Sequence, residues 1–291
     1  MMETWLRLPL RRAPQRYHLA LTEVLLHSAA ERPPLLSWQI AEPAAFVIGV
    51  SEKLNDLDVA ACRAAGVAIY RRTAGGTAVL AGPDLLSLDV ILPPGHALAG
   101  HDIVEAYRWF GELWAETLQS LGAAARTISP AEAHAPRTRR FLAQAERLEQ
   151  LIRQSCYGAV SPYEVCVNGR KVLGLDQVRR RVGFLFQGGL LLRWDAQQIA
   201  RLLAALPEER PALAAGLRER AAGLEELLGR PLNPGEITTR FEDLLQQRHA
   251  VTLRDLALPA DVEEQAARVE EQCYRSLLDE ETVDQPLKHQ A

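Results

Sequence analysis

The chain alternates short apolar runs with stretches in which apolar residues return every three or four positions. Ala20, Val24, Leu25 and Ala29 fall roughly on one helical face, which predicts a helix from about His18 to Ala30, ended by Pro33-Pro34. Leu35 to Ile40 and Phe46 to Val50 are short runs of strand type. Asp56 to Ala65 returns to helical spacing and meets Gly66, a common helix stop. Val67-Ala68-Ile69-Tyr70 predicts a buried strand leading into Arg71-Arg72 and Gly75-Gly76. Leu85 to Leu92 predicts a further strand, closed by Pro93-Pro94-Gly95. The clearest helix spans about Asp102 to Leu121, with Ile103, Tyr107, Phe110, Trp114 and Leu118 on one side and Gly122 at its end.

Pro130 to about Pro136 reads as a loop. Arg137 to Gln154 has helical spacing (Phe141, Ala145, Leu148, Ile152) with many charges, the pattern of a solvated amphipathic insertion. Tyr163 to Leu173 predicts a hairpin turning on Asn168-Gly169, the strongest two-residue turn signal. Val182 to Phe186 and Leu190 to Arg193 predict a strand pair around Gly188-Gly189. Past Asp195 the spacing is helical, at Ala196–Leu206, Pro211–Leu228, Ile237–His249 and Val262–Leu278, and the last ten residues read as frayed. The pattern predicts an α/β chain of the α+β type: mixed, largely antiparallel sheets with flanking helices over residues 1–207, and a small helical region over 208–291.

Composition narrows the function classes. The 291 residues are 48% apolar and 24% charged, an ordinary globular balance. A formal net charge of −4 argues against a globally basic nucleic-acid binder, although Arg179-Arg180-Arg181 is a local basic patch. No apolar run approaches the length of a membrane span, and the first residues lack a signal-type apolar stretch. Four scattered cysteines without metal-ligand spacing suit free thiols in a cytoplasmic protein, and no metal site is expected.

Three features carry candidate chemistry. Cys156 stands at a junction after a polar helix, near Ser161-Pro162, where neighbouring cations could lower its pKa. Cys62, Cys166 and Cys273 read as packing residues. Lys171 opens the outgoing strand of the hairpin, either as a solvent-facing lysine that protects a sheet edge or as a fixed ammonium near developing negative charge. Arg71 to Leu80 holds two arginines and two glycines, so backbone N–H groups can approach an anion or carbonyl closely; a plain glycine hairpin is the alternative. It is neither a Walker loop nor a dinucleotide fingerprint. His134 reads as a loop histidine rather than a general base.

In this order the pieces resemble the superfamily of lipoate-protein ligase A, octanoyltransferases and biotin ligases. Arg71-Arg72-Thr73-Ala74-Gly75-Gly76 is similar to the family's Arg-Arg-x-Thr/Ser-Gly-Gly wall of the acyl pocket. Gly169-Arg170-Lys171-Val172-Leu173-Gly174-Leu175-Asp176-Gln177 is similar to its Gly-(Arg/Lys)-Lys-(Ile/Val)-x-Gly-Ser-Ala-Gln block. Cys156-Tyr157-Gly158-Ala159-Val160-Ser161-Pro162-Tyr163-Glu164-Val165 resembles the cysteine run of the octanoyltransferases typical of Gram-positive bacteria.

The resemblance implies a biotin/lipoate ligase-like catalytic domain. It implies that Cys156 carries an acyl thioester and that Lys171 contacts the acyl carbonyl. Arg71, Arg72, Gly75, Gly76, Thr77, Gly174 and Gln177 would bind substrate, while Val79 and Leu173 would suit an aliphatic C8 chain. The implied donor is octanoyl-acyl carrier protein, and the acceptor is a lysine of a lipoyl-domain protein such as the glycine cleavage H protein or a 2-oxoacid dehydrogenase E2. No cofactor is needed for transfer. ATP and magnesium would enter only for a lipoate-protein ligase, and a non-catalytic lipoyl-domain binder is a third reading. Departures from the family pattern point to a divergent substrate or a loss of activity, and so motivate the third reading: Ala81-Gly82-Pro83-Asp84 lacks the usual histidine, Gly174-Leu175-Asp176-Gln177 replaces Gly-Ser-Ala-Gln, and Gln187-Gly188-Gly189 replaces Gln-His-Gly.

Overall fold

The computed structural model describes residues 2–134 and 143–279. The first half contains β1 (Glu3–Ala13), α1 (Gln15–His27), β2 (Leu35–Ala41), β3 (Ala45–Ile48), α2 (Val59–Ala64) and β4 (Ala68–Arg71). Then come β5 (Val79–Ala81), β6 (Leu85–Leu92), α3 (Arg108–Ser120), β7 (Ala125–Thr127), α4 (Pro130–His134) and α5 (Ala143–Gln154). The remainder is β8 (Val165–Val167), β9 (Arg170–Arg180), β10 (Gly183–Leu191), α6 (Ala196–Leu202), α7 (Arg210–Arg220), α8 (Leu224–Leu228), α9 (Pro234–His249), β11 (Val251–Asp255) and α10 (Ala260–Cys273).

An eight-stranded sheet has the order β11-β1-β2-β6-β10-β9-β8-β7, and a three-stranded sheet has the order β4-β3-β5. In the large sheet β1 runs parallel to β2 and β11, and every other neighbour is antiparallel. This is the mixed, largely antiparallel α/β architecture expected from the spacing. One face packs Trp38, Val90 and Phe186 against Phe110 and Trp114 of α3 and Phe241 of α9. The other face packs Leu35, Ile91 and Leu185 against Leu21 and Leu25 of α1 and Ala266 of α10. Covered on both sides, β2 is buried at every position, Ser37 and Gln39 included.

Several local expectations need correction. The first helix begins at Gln15, earlier than the apolar spacing shows, because its first turn is polar. Residues 130–134 are helical rather than a loop. Ser129 Oγ accepts from the Glu132 N–H at 3.2 Å while the Glu132 carboxylate accepts from the Ser129 N–H at 3.0 Å, a reciprocal cap. No strand pair forms around Gly188-Gly189, which sit inside the single strand β10; the turn lies at residues 181–182. There the glycines permit close packing instead: a Cβ on Gly188 would meet Trp114 Nε1 at 2.8 Å, and one on Gly189 would meet the Tyr157 hydroxyl at 2.9 Å.

The helix expected over Pro211–Leu228 is broken after Arg220 because β9 captures its backbone. Ala221 is extended, and the Ala222 N–H donates to the Lys171 carbonyl at 3.1 Å. The strand β1 had no signal in the spacing; its register shifts between Leu8 and Arg11, which blurs the alternation. Among the described residues beyond 207 the regular elements are helices apart from β11, which extends the large sheet beside β1. In α5, Leu151 and Ile152 are buried in the core around the small sheet, so the helix is more than a solvated insertion; Phe141 lies outside the described residues.

Candidate active site

Asn168 (φ 51°) and Gly169 (φ 78°) both take the left-handed conformation that a two-residue hairpin demands, so β8 and β9 pair tightly. The hairpin does not place Lys171 on a solvated edge. Its side chain is 2% exposed, and its ammonium donates to the carbonyls of Cys156 (2.7 Å) and Ala159 (3.1 Å) and pairs with Glu164 Oε1 at 2.8 Å. Those three acceptors match the three N–H bonds of an ammonium. Burial alone would strip the proton from Lys171, but Glu164 and Cys156 outweigh it and hold the amine above its ordinary pKa.

Cys156 opens a single 3-10 turn, Cys156–Gly158, at the end of α5. The Cys156 N–H donates to the Ala78 carbonyl at 2.8 Å, and the Ala78 N–H donates to Gln154 at 3.1 Å, so the turn is stitched to the loop before β5. Gly158 is required there because a Cβ would stand 1.7 Å from the Ile152 carbonyl oxygen. Tyr157 anchors the turn from below, donating to the Gly189 carbonyl at 2.7 Å.

Gly174 leaves room beneath the thiol: a Cβ at that position would be 3.6 Å from both Cys156 Sγ and Lys171 Nζ. Thiol and ammonium therefore flank one point. Burial pushes the Cys156 thiol above its ordinary pKa, with the Lys171 charge pulling the other way.

These groups line a cavity of about 480 Å³ together with Arg72, Gly76, Thr77 and Gly174. Arg72 stiffens its rim by donating to the carbonyls of Val47 (3.1 Å), Gly75 (2.9 Å) and Thr77 (3.2 Å), and its Nε stands 3.4 Å from Asp176 Oδ2. Arg71 points elsewhere, donating to the carbonyls of Gly49 and Glu52, and does not line the cavity. Gly75 is also outside the lining, and the Gln177 side chain donates to the Ile103 carbonyl at 2.6 Å, away from the thiol. Val79 lines the cavity as expected, whereas Leu173 packs into the core on the far face of the sheet. His134 caps its own helix turn on the surface. Of the other thiols, Cys62 and Cys166 are buried, but Cys273 is exposed and is not a packing residue.

Two contributions escaped the reading of single residues. Glu164 lies within the cysteine run, yet its role emerges only from the fold: its carboxylate takes Lys171 and the N–H groups of Ser161 (2.7 Å) and Leu175 (3.2 Å). Asp89, with Gln39 and Gln187, forms a polar wall in the same cavity. The polar pair Ser87 and Asp89, on one face of an otherwise apolar β6, was the available signal. Among the described residues, no group of three or more His, Cys, Asp or Glu side chains is arranged to hold a metal, and no helix is long and apolar enough to cross a membrane.

The chain is similar to known proteins along nearly its whole length. The chain is 27% identical over 277 residues to octanoyltransferase LipM of Lysinibacillus sphaericus, covering 94% of this chain and 97% of that protein. It is 27% identical over 282 residues to octanoyltransferase LipM of Staphylococcus aureus, covering 95% and 98%. The fold is shared with the bipartite lipoate protein ligase of Thermoplasma acidophilum, with a TM-score of 0.72, 18% identity and coverage of 94% and 93% of the two chains. The model of the lipoyl protein ligase A/B catalytic domain matches residues 14–246, and the chain belongs to that family.

Proposed function

We propose that the chain is an acyltransferase of protein lipoylation that moves an octanoyl group from acyl carrier protein to a lysine of a lipoyl-domain protein through a thioester on Cys156. The observation that carries this reading is the shared position of the Cys156 thiol and the Lys171 ammonium over Gly174, at the wall of a cavity large enough for an acyl chain. The likeness to octanoyltransferases along nearly the whole chain supports it.

Cys156 sulfur attacks the donor thioester carbonyl; the new C–S bond forms, the old one breaks, and the carrier thiol leaves with the cysteine proton. The acceptor amine then attacks the acyl-enzyme, the amide forms, and the thiol is regenerated. Lys171 stabilises the oxyanion of both steps. Since its three N–H bonds are already engaged, the acyl oxygen takes the place of the longest contact, that to Ala159. Arg72, Gly76 and Thr77 shape the cavity rim, while Arg71 and Gly75 act through the loop they hold. Four free thiols among the described residues suit a reducing cytoplasm.

The test is intact-mass spectrometry after mixing the protein with octanoyl-acyl carrier protein without ATP. A gain of one octanoyl group that is absent from Cys156→Ala is the expected result. Loading that requires ATP and free acid would overturn it in favour of a ligase.

A further inference from the structure

The sheet face beneath the cavity consists of two cross-strand rows. Register places Gly174, Gly189, Ser87 and Gln39 side by side across β9, β10, β6 and β2. The neighbouring row is Asp176, Gln187, Asp89 and Ser37. Cys156 stands over Gly174 at the head of the first row. Ser87 is two strand spacings away, about 10 Å, which is the order of length of an extended octanoyl chain. An acyl group on Cys156 that follows this row passes Gly174, skirts the Tyr157 hydroxyl that stands over Gly189, and brings its distal carbons to Ser87, beside Asp89.

That end of the cavity is built from acceptors. Asp89 is 2% exposed and receives the amide N–H groups of Gln187 and Gln39, each at 2.8 Å, and the hydroxyl of Thr22 on α1. Burial raises the Asp89 pKa, opposed by the three hydrogen bonds it receives, and both amides turn their NH2 groups toward it. Their carbonyl oxygens are left over, and neither has a hydrogen-bond partner among the described residues. The Ser87 hydroxyl is likewise unpartnered among the described residues, and Ser87 lines the cavity. A wall that only had to hold a hydrocarbon tail would lose binding energy through such groups.

We infer that the cavity selects an acyl group bearing a hydroxyl on its distal carbons, and that Asp89 determines this preference by orienting Gln39 and Gln187. The apolar side chains Leu19, Val47 and Val79 on the cavity's other walls, with Leu85 at the edge of the sheet face, hold the methylenes, and the acceptor wall takes the hydroxyl proton. This rests on the acyl-transfer reading for the identity of the ligand, but not on the covalent step.

The experiment measures equilibrium binding of octanoyl-pantetheine and 8-hydroxyoctanoyl-pantetheine to the Cys156→Ala protein, which cannot be acylated. The hydroxylated thioester is expected to bind about tenfold tighter, the scale of one hydrogen bond to a buried acceptor that otherwise stays empty. Adding Asp89→Leu should reverse the order. Adding Ser87→Ala, at a partly exposed position that leaves the Asp89 network intact, should narrow the preference even if the Asp89 variant does not fold. Equal affinities, tighter octanoyl binding, or no binding of either compound overturns the inference. Thioester formation on the wild-type protein is scored separately by mass: a hydroxyl preference without an adduct leaves the selectivity standing and removes the covalent mechanism.

Discussion

Lys171 Nζ lies 2.8 Å from Glu164 Oε1, and both side chains are almost fully shielded from solvent. Breaking a buried pair by removing one partner leaves the other charge uncompensated, at a cost of about 3–5 kcal/mol. Glu164→Ala and Lys171→Met are each expected to lower the urea midpoint sharply. The double variant should be more stable than either single one, because the stranded charge is gone. Additive losses in a double-mutant cycle would refute the coupling.

The Cys156 thiol titrates above its ordinary value of 9.0 because burial outweighs the Lys171 charge. Below that pKa the reactive thiolate grows tenfold per pH unit. Acyl loading at saturating donor should therefore climb with pH through neutrality and continue past pH 9.0. A plateau near pH 7, read by quenched-flow mass spectrometry, would show that Lys171 dominates instead. Cys156→Ser should leave the melting temperature nearly unchanged while loading falls by orders of magnitude.

Arg72 holds three carbonyls of the cavity rim with a planar fork that lysine cannot reproduce. Arg72→Lys is expected to cost about 1–3 kcal/mol, since buried carbonyls lose their donors. Acyl loading should fall along with stability. Arg71→Lys, at a residue bonded to the 49–52 loop outside the cavity, should lose far less activity. Equal losses in the two variants would mean that the rim geometry is not what Arg72 supplies.

Burial pushes the Glu52 carboxyl up to about 7. Its folded state thus binds the proton more tightly than the unfolded chain, whose ordinary value is 4.5. The stabilisation is complete below 4.5 and is lost as pH rises through about 7. Glu52→Gln should flatten the stability profile across that window. An unchanged slope in urea titrations would place the pH dependence elsewhere.

Helix α3 was legible because its buried face keeps the period at Phe110, Trp114 and Leu118. It begins at Arg108 rather than Asp102, and Ile103, expected on that face, is exposed. Strand β6 has the bounds expected, Leu85 to Leu92. The hairpin of β8 and β9 was legible for a different reason: Asn168-Gly169 is a local conformational demand that needs no partner. Arg71 and Arg72 looked equivalent as neighbours, yet adjacent strand residues point to opposite sides, so only Arg72 reaches the rim. The family motifs brought Cys156 and Lys171 together on paper. Nothing local could show that Glu164 occupies the ammonium between them, or that four strands align Ser37, Asp89, Gln187 and Asp176 in one row. Register is a property of pairs of strands, and a single segment does not carry it.

The parallel pairing of β1 with β11 has a consequence for synthesis. Thr4 meets Thr252 across a separation of 248 residues, so one edge of the first strand must wait for nearly the whole chain to be made. The cysteine turn and its lysine have no such wait; their last backbone partner is Ala222. During translation the turn and its lysine can pair while a strand edge of the sheet is still bare, an interval in which the nascent protein is exposed to edge-to-edge association. Truncation before Val251 would make that transient condition permanent.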